Sequence, residues 1–196
     1  MLNRLSRIAV PVVAASLLLS ACGGGSSSNS KDKLAAANTP SSTPVPQVAP
    51  MPDAATKHTD DGAVAFAKFW FATVLNDSYR LGDVKRLVDL SDPNCVVCRS
   101  TVGDIAFFAV QGQRSQGGDV SVSAAKVAES NSEVTSIDIT YSAAKLSEIN
   151  PDGSTAYSVD AHSGVEVIAQ VQWIADTNGW RMSQIVDKKL VTPAKS

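Results

Sequence analysis

The chain has three cysteines, and two of them, Cys95 and Cys98, stand three apart in the stretch SDPNCVVCRS. That spacing serves three chemistries. Thiol–disulfide exchange needs a thiol at a helix N-terminus, where the local field lowers its pKa. A structural zinc site needs four ligands. A plain staple needs only an oxidising compartment. Zinc runs short of ligands, because the two histidines are His58, in a segment of linker composition, and His162, in a loop. Exchange lacks company: Asn94 precedes the pair, Val96 and Val97 offer no polar tuning, and no proline lies between Pro93 and Pro151 to face it. The staple asks for nothing more than the turn made by Ser91-Asp92-Pro93 and a helix starting near Ser100. Closing so small a loop adds about 2 kcal/mol by the chain-entropy relation.

The compartment is read from the third cysteine. Arg4 and Arg7 precede an apolar run of about a dozen residues, the length of a signal-peptide core and short for a bilayer span. The run ends in Leu19-Ser20-Ala21-Cys22, which resembles the bacterial lipoprotein box. The resemblance implies cleavage before Cys22 and a diacylglyceryl thioether on its sulfur. Two acyl chains anchor stably where one binds marginally. Residues 1–21 are then a signal peptide, Cys95 and Cys98 an even pair outside the cytosol, and the membrane the first expected partner.

Residues 22–60 are rich in Gly, Ser and Pro and poor in large apolar side chains. Such a segment cannot bury enough surface to offset ordering its backbone, so it reads as a tether, spanning on the order of 35 Å as a coil. Removing residues 1–21 takes away Arg4 and Arg7 and moves the net charge from −2 to −4. With no basic run, nucleic acid is a poor partner. An envelope protein, a glycan or a lipid remains. No phosphate loop, nucleophile elbow or other cofactor motif is present.

Residues 61–190 read as one domain, with a tail over 191–196. DDGAVAFAKFWFATVLNDSY predicts a helix capped by Asp60 or Asp61, and only Lys68 interrupts its apolar surface between 63 and 75. A helix apolar on nearly every side is buried, so Phe66, Phe69, Trp70 and Phe71 read as core. A short second helix follows with Val84, Leu87, Val88 and Leu90 apolar. A third uses Val102, Ile105, Ala106 and Ala109, and RSQGGD stops it. From Val120 the period becomes two. Ile137, Ile139 and Tyr141 share one face of a strand run, Asp138 and Thr140 the other. Asn150-Pro151-Asp152-Gly153-Ser154 is a turn. Asn178-Gly179 predicts a two-residue type I′ hairpin, with Val165, Val167, Ala169, Val171 and Trp173 on one face of its first strand. Trp180, Met182 and Gln184 line the return strand.

Two or three helices followed by a four-stranded antiparallel meander imply an α+β fold with the helices on one face of a curved sheet. The order resembles the nuclear transport factor 2-like cone, and ferredoxin-like and cystatin-like packings fit the same string. More narrowly, the lipoprotein box, the Ser/Pro tether, the stretch AFAKFWFATVLNDSYRLGDVKRLVDLSDPNCVVC and the closing GWRMSQI resemble a family of actinobacterial lipoproteins of unknown function. That resemblance implies an architecture and an address, and no activity.

A cone would place a pocket beneath the first helix, lined by Asp138, Tyr141 and Trp173, where a small-molecule hydrolase or isomerase would work. Asp138, Asp160 and His162 are the titratable group within the strands, although Asp138 faces solvent if Ile137 and Ile139 face the helices. With no catalytic constellation assembled, no catalytic residue is assigned. The leading expectation is a non-enzymatic, membrane-tethered binding or accessory domain, with the pocket enzyme and the Cys95–Cys98 oxidoreductase as alternatives.

Overall fold

The computed structural model describes residues 48–191, all within one unit of the chain. The signal peptide, Cys22, most of the tether and the last five residues lie outside the described residues. The first expected helix is present in three parts: α1 (Asp60–Phe69), a π-helical turn (Trp70–Val74) and α2 (Leu75–Leu81). Backbone angles stay right-handed through both junctions. Ala63, Phe66, Ala67, Phe69, Trp70, Phe71 and Val74 are all buried. The wider π turn rotates the sequence relative to a regular helix, which brings consecutive bulky residues into the interior. The N-cap is Thr59, not Asp60 or Asp61. Its extended backbone lets Oγ1 accept from the Gly62 amide at 3.1 Å, and the two aspartates occupy the first turn, where the dipole favours them.

Packing begins ahead of the expected boundary at residue 61. A 3₁₀ turn (Asp53–Thr56) buries Ala55, the Lys57 carbonyl accepts from Trp180 Nε1 at 2.9 Å, and Arg86 Nη1 donates to the Ala49 carbonyl at 2.6 Å. The approach is so close that a Cβ on Gly62 would stand 2.0 Å from the Lys57 oxygen.

Helix α3 (Lys85–Asp89) buries Leu87. Helix α4 (Val96–Val110) starts earlier than Ser100, with Cys95 as its N-cap. Between them Ser91 bridges in parallel to Met182, the Asp92 amide donates to the Met182 carbonyl at 2.8 Å, and the Met182 amide donates to that of Leu90 at 2.9 Å.

The strands are β1 (Arg114–Gly117), β2 (Val120–Ser130), β3 (Val134–Ala143), β4 (Leu146–Ile149), β5 (Thr155–Val159), β6 (His162–Ile174) and β7 (Gly179–Asp187). A last short helix, α5, is Lys188–Val191. The expected meander exists as the antiparallel sheet β2-β3-β6-β7, whose inner face holds Ile137, Ile139, Val167, Ala169, Val171 and Met182 against the central helix. The fold is therefore α+β. It has more helices than two or three, and a second antiparallel sheet, β1-β4-β5, that the sequence did not announce.

The second sheet arises because three neighbouring strands break at one level. β1 gives way to β2 at Gly118-Asp119, β3 to β4 at Ala144-Lys145, and β5 to β6 at Asp160-Ala161. Backbone bonds stitch this crease: the Gly118 amide donates to the Lys145 carbonyl at 2.9 Å, and that of Ala144 to Asp119 at 3.0 Å. Gly117 adopts φ 73°, and a Cβ there would meet the Lys145 oxygen at 2.3 Å.

Two details of the last hairpin differ from expectation. The loop has four residues, a 3₁₀ turn (Ala175–Thr177) closed by Asn178 at φ 48°, since Ile174 pairs with Gly179. Asn178 takes its left-handed geometry, but as the last loop residue. A bulge between Gln170 and Val171 then slips the register: Gln184 pairs with Gln170 and is exposed, while Ile185 packs on the core. One extra residue reverses the alternation.

Gly117→Ala meets both left-handed strain and a backbone clash. A loss of about 2 kcal/mol or more is expected from such a combination, read as a lowered midpoint in urea denaturation of the full-length protein.

Candidate functional site

Cys95 and Cys98 are joined by a disulfide within the first turn of α4, with Cα atoms 5.2 Å apart. Both are 1% exposed, and Cys95 Sγ accepts from the Cys98 amide at 3.2 Å. An exchange pair must present a sulfur to its partner, and both sulfur-bearing residues here are buried. The disulfide closes the first turn of α4, and the Cys95 amide donates to the Asp92 carbonyl at 3.0 Å, beside the Leu90–Asp92 segment held by Met182. Trp70 joins that segment, its Nε1 donating to Ser91 Oγ at 3.2 Å inside the core.

The expected pocket residues do not converge. Asp138 lies on the outer face of β3, as its alternation with Ile137 and Ile139 requires. Its carboxylate meets Lys188 Nζ at 2.9 Å and Lys126 Nζ at 4.0 Å. Trp173 sits near the far end of β6, opposite Trp180, whereas Tyr141 pairs with Val165 near the start of that strand. Trp173 instead stacks on His58, centroids 4.5 Å apart and planes within 2°, with Trp180 edge-on to both. The expected site therefore fails on register: three residues chosen for type were spread over both faces and both ends of the sheet.

Tyr141 alone lines a cavity. A cleft of about 270 Å³ opens at the crease, walled by Trp70, Phe71 and Leu75 from the central helix and by Tyr141, Leu146 and Ile185 from the strands. Asp160 and His162, both exposed, stand at its rim; His162 is the first residue of β6 and not a loop residue. Phe71 and Tyr141 pack at 5.5 Å. Asn76 holds the helix to the crease, donating Nδ2 to the Val120 carbonyl at 3.0 Å and accepting from its amide at 2.8 Å. Two phenols border the cleft, Tyr79 and Tyr141. Burial pushes the pKa of both above the ordinary 10.0, with Asp104 and Glu148 adding to the effect at Tyr79 and Asp187 at Tyr141. Both are therefore neutral hydrogen-bonding groups at physiological pH.

Sequence reasoning missed Glu148, Tyr79 and Asn76. Glu148 is fully buried, its Oε1 accepting from Ser115 Oγ at 2.7 Å. The signal for it was alternation, since Leu146 and Glu148 share one face of a strand. Among the described residues, no group of three His, Cys, Asp or Glu could hold a metal ion.

A family model described as "Family of unknown function (DUF6318)" matches residues 33–186. No curated protein matches the chain. Among solved structures, the chain is similar to the intermembrane space region of chloroplast protein ARC6, at 12% identity and TM-score 0.47, over 67% of this chain and 99% of that one. It is also similar to a periplasmic fragment of TraM, at 11% identity and TM-score 0.36, over 66% of this chain and 97% of that one.

Replacing Cys95 and Cys98 together by serine should lower stability by about 2 kcal/mol, measured by chemical denaturation against the wild type. The tyrosines give a pH test. Because the fold holds the Tyr79 and Tyr141 protons more tightly than the unfolded chain does, their contribution is intact below pH 10.0 and is lost as pH rises through the folded values. The melting temperature should fall above that pH, and fall less steeply with Tyr79→Phe.

Proposed function

We propose that this chain, which belongs to the DUF6318 family, is a lipid-anchored domain of the cell envelope that binds a small apolar ligand at the crease between its two sheets and does not transform it. The anchor is the diacylglyceryl group on Cys22, and the Gly/Ser/Pro-rich segment after it holds the domain off the outer face of the membrane. Support for the anchor lies in the sequence: the basic start, the short apolar run and Leu19-Ser20-Ala21-Cys22. Among the described residues no helix is long and apolar enough to cross a membrane.

The observation that carries the binding reading is the apolar cleft. Its volume of about 270 Å³ lies near the lower end of small-molecule sites, and its makeup, mostly aromatic and aliphatic with two phenols to orient a ligand, is that of such sites. The ligand class favoured by these walls is a lipid or another apolar molecule delivered from the membrane. Envelope proteins and glycans are weaker fits, since a protein needs a broader surface and a glycan more polar walls.

Two measurements test this reading. Cys22→Ala should move the protein from the membrane to the soluble fraction, with retention in the membrane contradicting the anchor. N-phenyl-1-naphthylamine should bind the full-length protein with a fluorescence rise. Ala143 of β3 also lines the cleft, and Ala143→Phe should weaken binding about tenfold or more while leaving the fold intact by circular dichroism. Unchanged binding in that variant would remove the cleft as the site.

A further inference from the structure

A second cavity, of about 230 Å³, is lined by Tyr79, Arg80, Gln113, Arg114, Ser115 and Glu148 among others. It shares Tyr79 with the apolar cleft and is otherwise a separate place, built on the small sheet. Ser115 pairs with Glu148 across β1 and β4, and Glu148 with Tyr157 across β4 and β5. Directly paired residues share a face, and this face is turned to the helices: Glu148 is 0% exposed, and Phe108 of α4 stacks on Tyr157 at 6.1 Å.

A carboxyl so deeply placed needs its oxygens satisfied, because an oxygen left without a donor keeps its full desolvation penalty. Oε1 has the Ser115 hydroxyl. Oε2 is buried and has no partner. Gln113 repeats the pattern: its Nε2 donates to Asn150 Oδ1 at 2.7 Å, and its Oε1 is buried without a donor. Two orphaned acceptors thus belong to side chains lining one cavity. A purely structural carboxyl at this place could have been closed by arginine, because Arg80 and Arg114 line the same cavity. Neither does so. Arg80 is held at 2.6 Å by Asp77 Oδ1, and Arg114 is exposed. The cavity lining thus joins two side chains that each carry an unpaired buried acceptor with two arginines that are exposed.

We propose that this cavity binds a small amino-carboxylate. The ammonium group donates to Glu148 Oε2 and Gln113 Oε1, and the acid group lies toward Arg80 and Arg114. The inner end supplies the hydrogen bonds that Glu148 and Gln113 lack. The outer charges favour a zwitterion over a simple cation, which the two arginines repel.

The test is calorimetric titration of the full-length protein with γ-aminobutyrate, butylammonium and butyrate at matched ionic strength. γ-Aminobutyrate should bind and raise the melting temperature, butylammonium should bind about tenfold more weakly, and butyrate should give no heat. Glu148→Gln should weaken γ-aminobutyrate about tenfold or more, the scale of a hydrogen bond to a charged group. Arg114→Gln should weaken γ-aminobutyrate and spare butylammonium. Should Glu148→Gln not fold, Gln113→Leu gives the same readout from the neighbouring acceptor. Absence of binding by all three probes, butyrate binding as tightly as γ-aminobutyrate, or undiminished affinity in Glu148→Gln or Gln113→Leu each overturns the proposal. N-phenyl-1-naphthylamine binding should persist in Glu148→Gln, so this site and the cleft fail or stand separately.

Discussion

A helix apolar around its circumference cannot rest on a surface; it has to be enclosed. From Ala63 to Val74 only Lys68 and Ala72 are exposed, and the rest of the fold follows from covering the others. The four-stranded sheet takes one side through Ile137, Ile139, Ala169 and Val171. Leu87 and Ile105 of α3 and α4 take another. Burying an indole also buries its N–H, which must find an acceptor. Ser91 supplies it, and the segment carrying Ser91 is pinned to Met182 on one side and to the disulfide-capped helix on the other. The disulfide thus closes the helix turn beside the junction where helix, strand and indole meet.

The candidate sites lie where this enclosure changes hands. The large sheet covers the α1 and π-turn part of the helix; the small sheet reaches α2 and the end of α4. The crease between them leaves room on one side for an apolar cleft. Beneath the small sheet it leaves a polar cavity. Tyr79 borders both. Burial holds its phenol pKa above the ordinary 10.0. Two neighbouring cavities of opposite character suit an amphipathic environment such as the membrane surface, to which Cys22 would tether the domain.

Much of this was legible. The buried aromatic helix followed from counting apolar residues, the large sheet from strict alternation, and Asp138's outward aim from its neighbours Ile137 and Ile139. The crease was not. Ala144 and Lys145 continue the alternating run without punctuation, and Gly117-Gly118, which does mark a break, read as a helix stop because the strand before it has four residues. The Gln184 bulge and the π turn share that opacity: each inserts one residue through tertiary packing that no local propensity encodes. His58 was lost in a proline-rich stretch, although the two tryptophans it meets hold that stretch down. Glu148 was lost because a glutamate in a strand is ordinarily solvated, which outweighed its place on the same strand face as Leu146. The pocket of Asp138, Tyr141 and Trp173 does not assemble because Asp138 faces outward and Tyr141 and Trp173 lie at opposite ends of β6.

Native-state hydrogen exchange on the full-length protein tests the enclosure directly. The amides of Phe66–Val74 should exchange only with global unfolding, together with those of Ile137–Ile139 and Ala169–Val171, while Val159–His162 at the crease exchange through local opening. Exchange of Phe66–Val74 ahead of the large sheet would mean that the helix is not enclosed and would contradict the account.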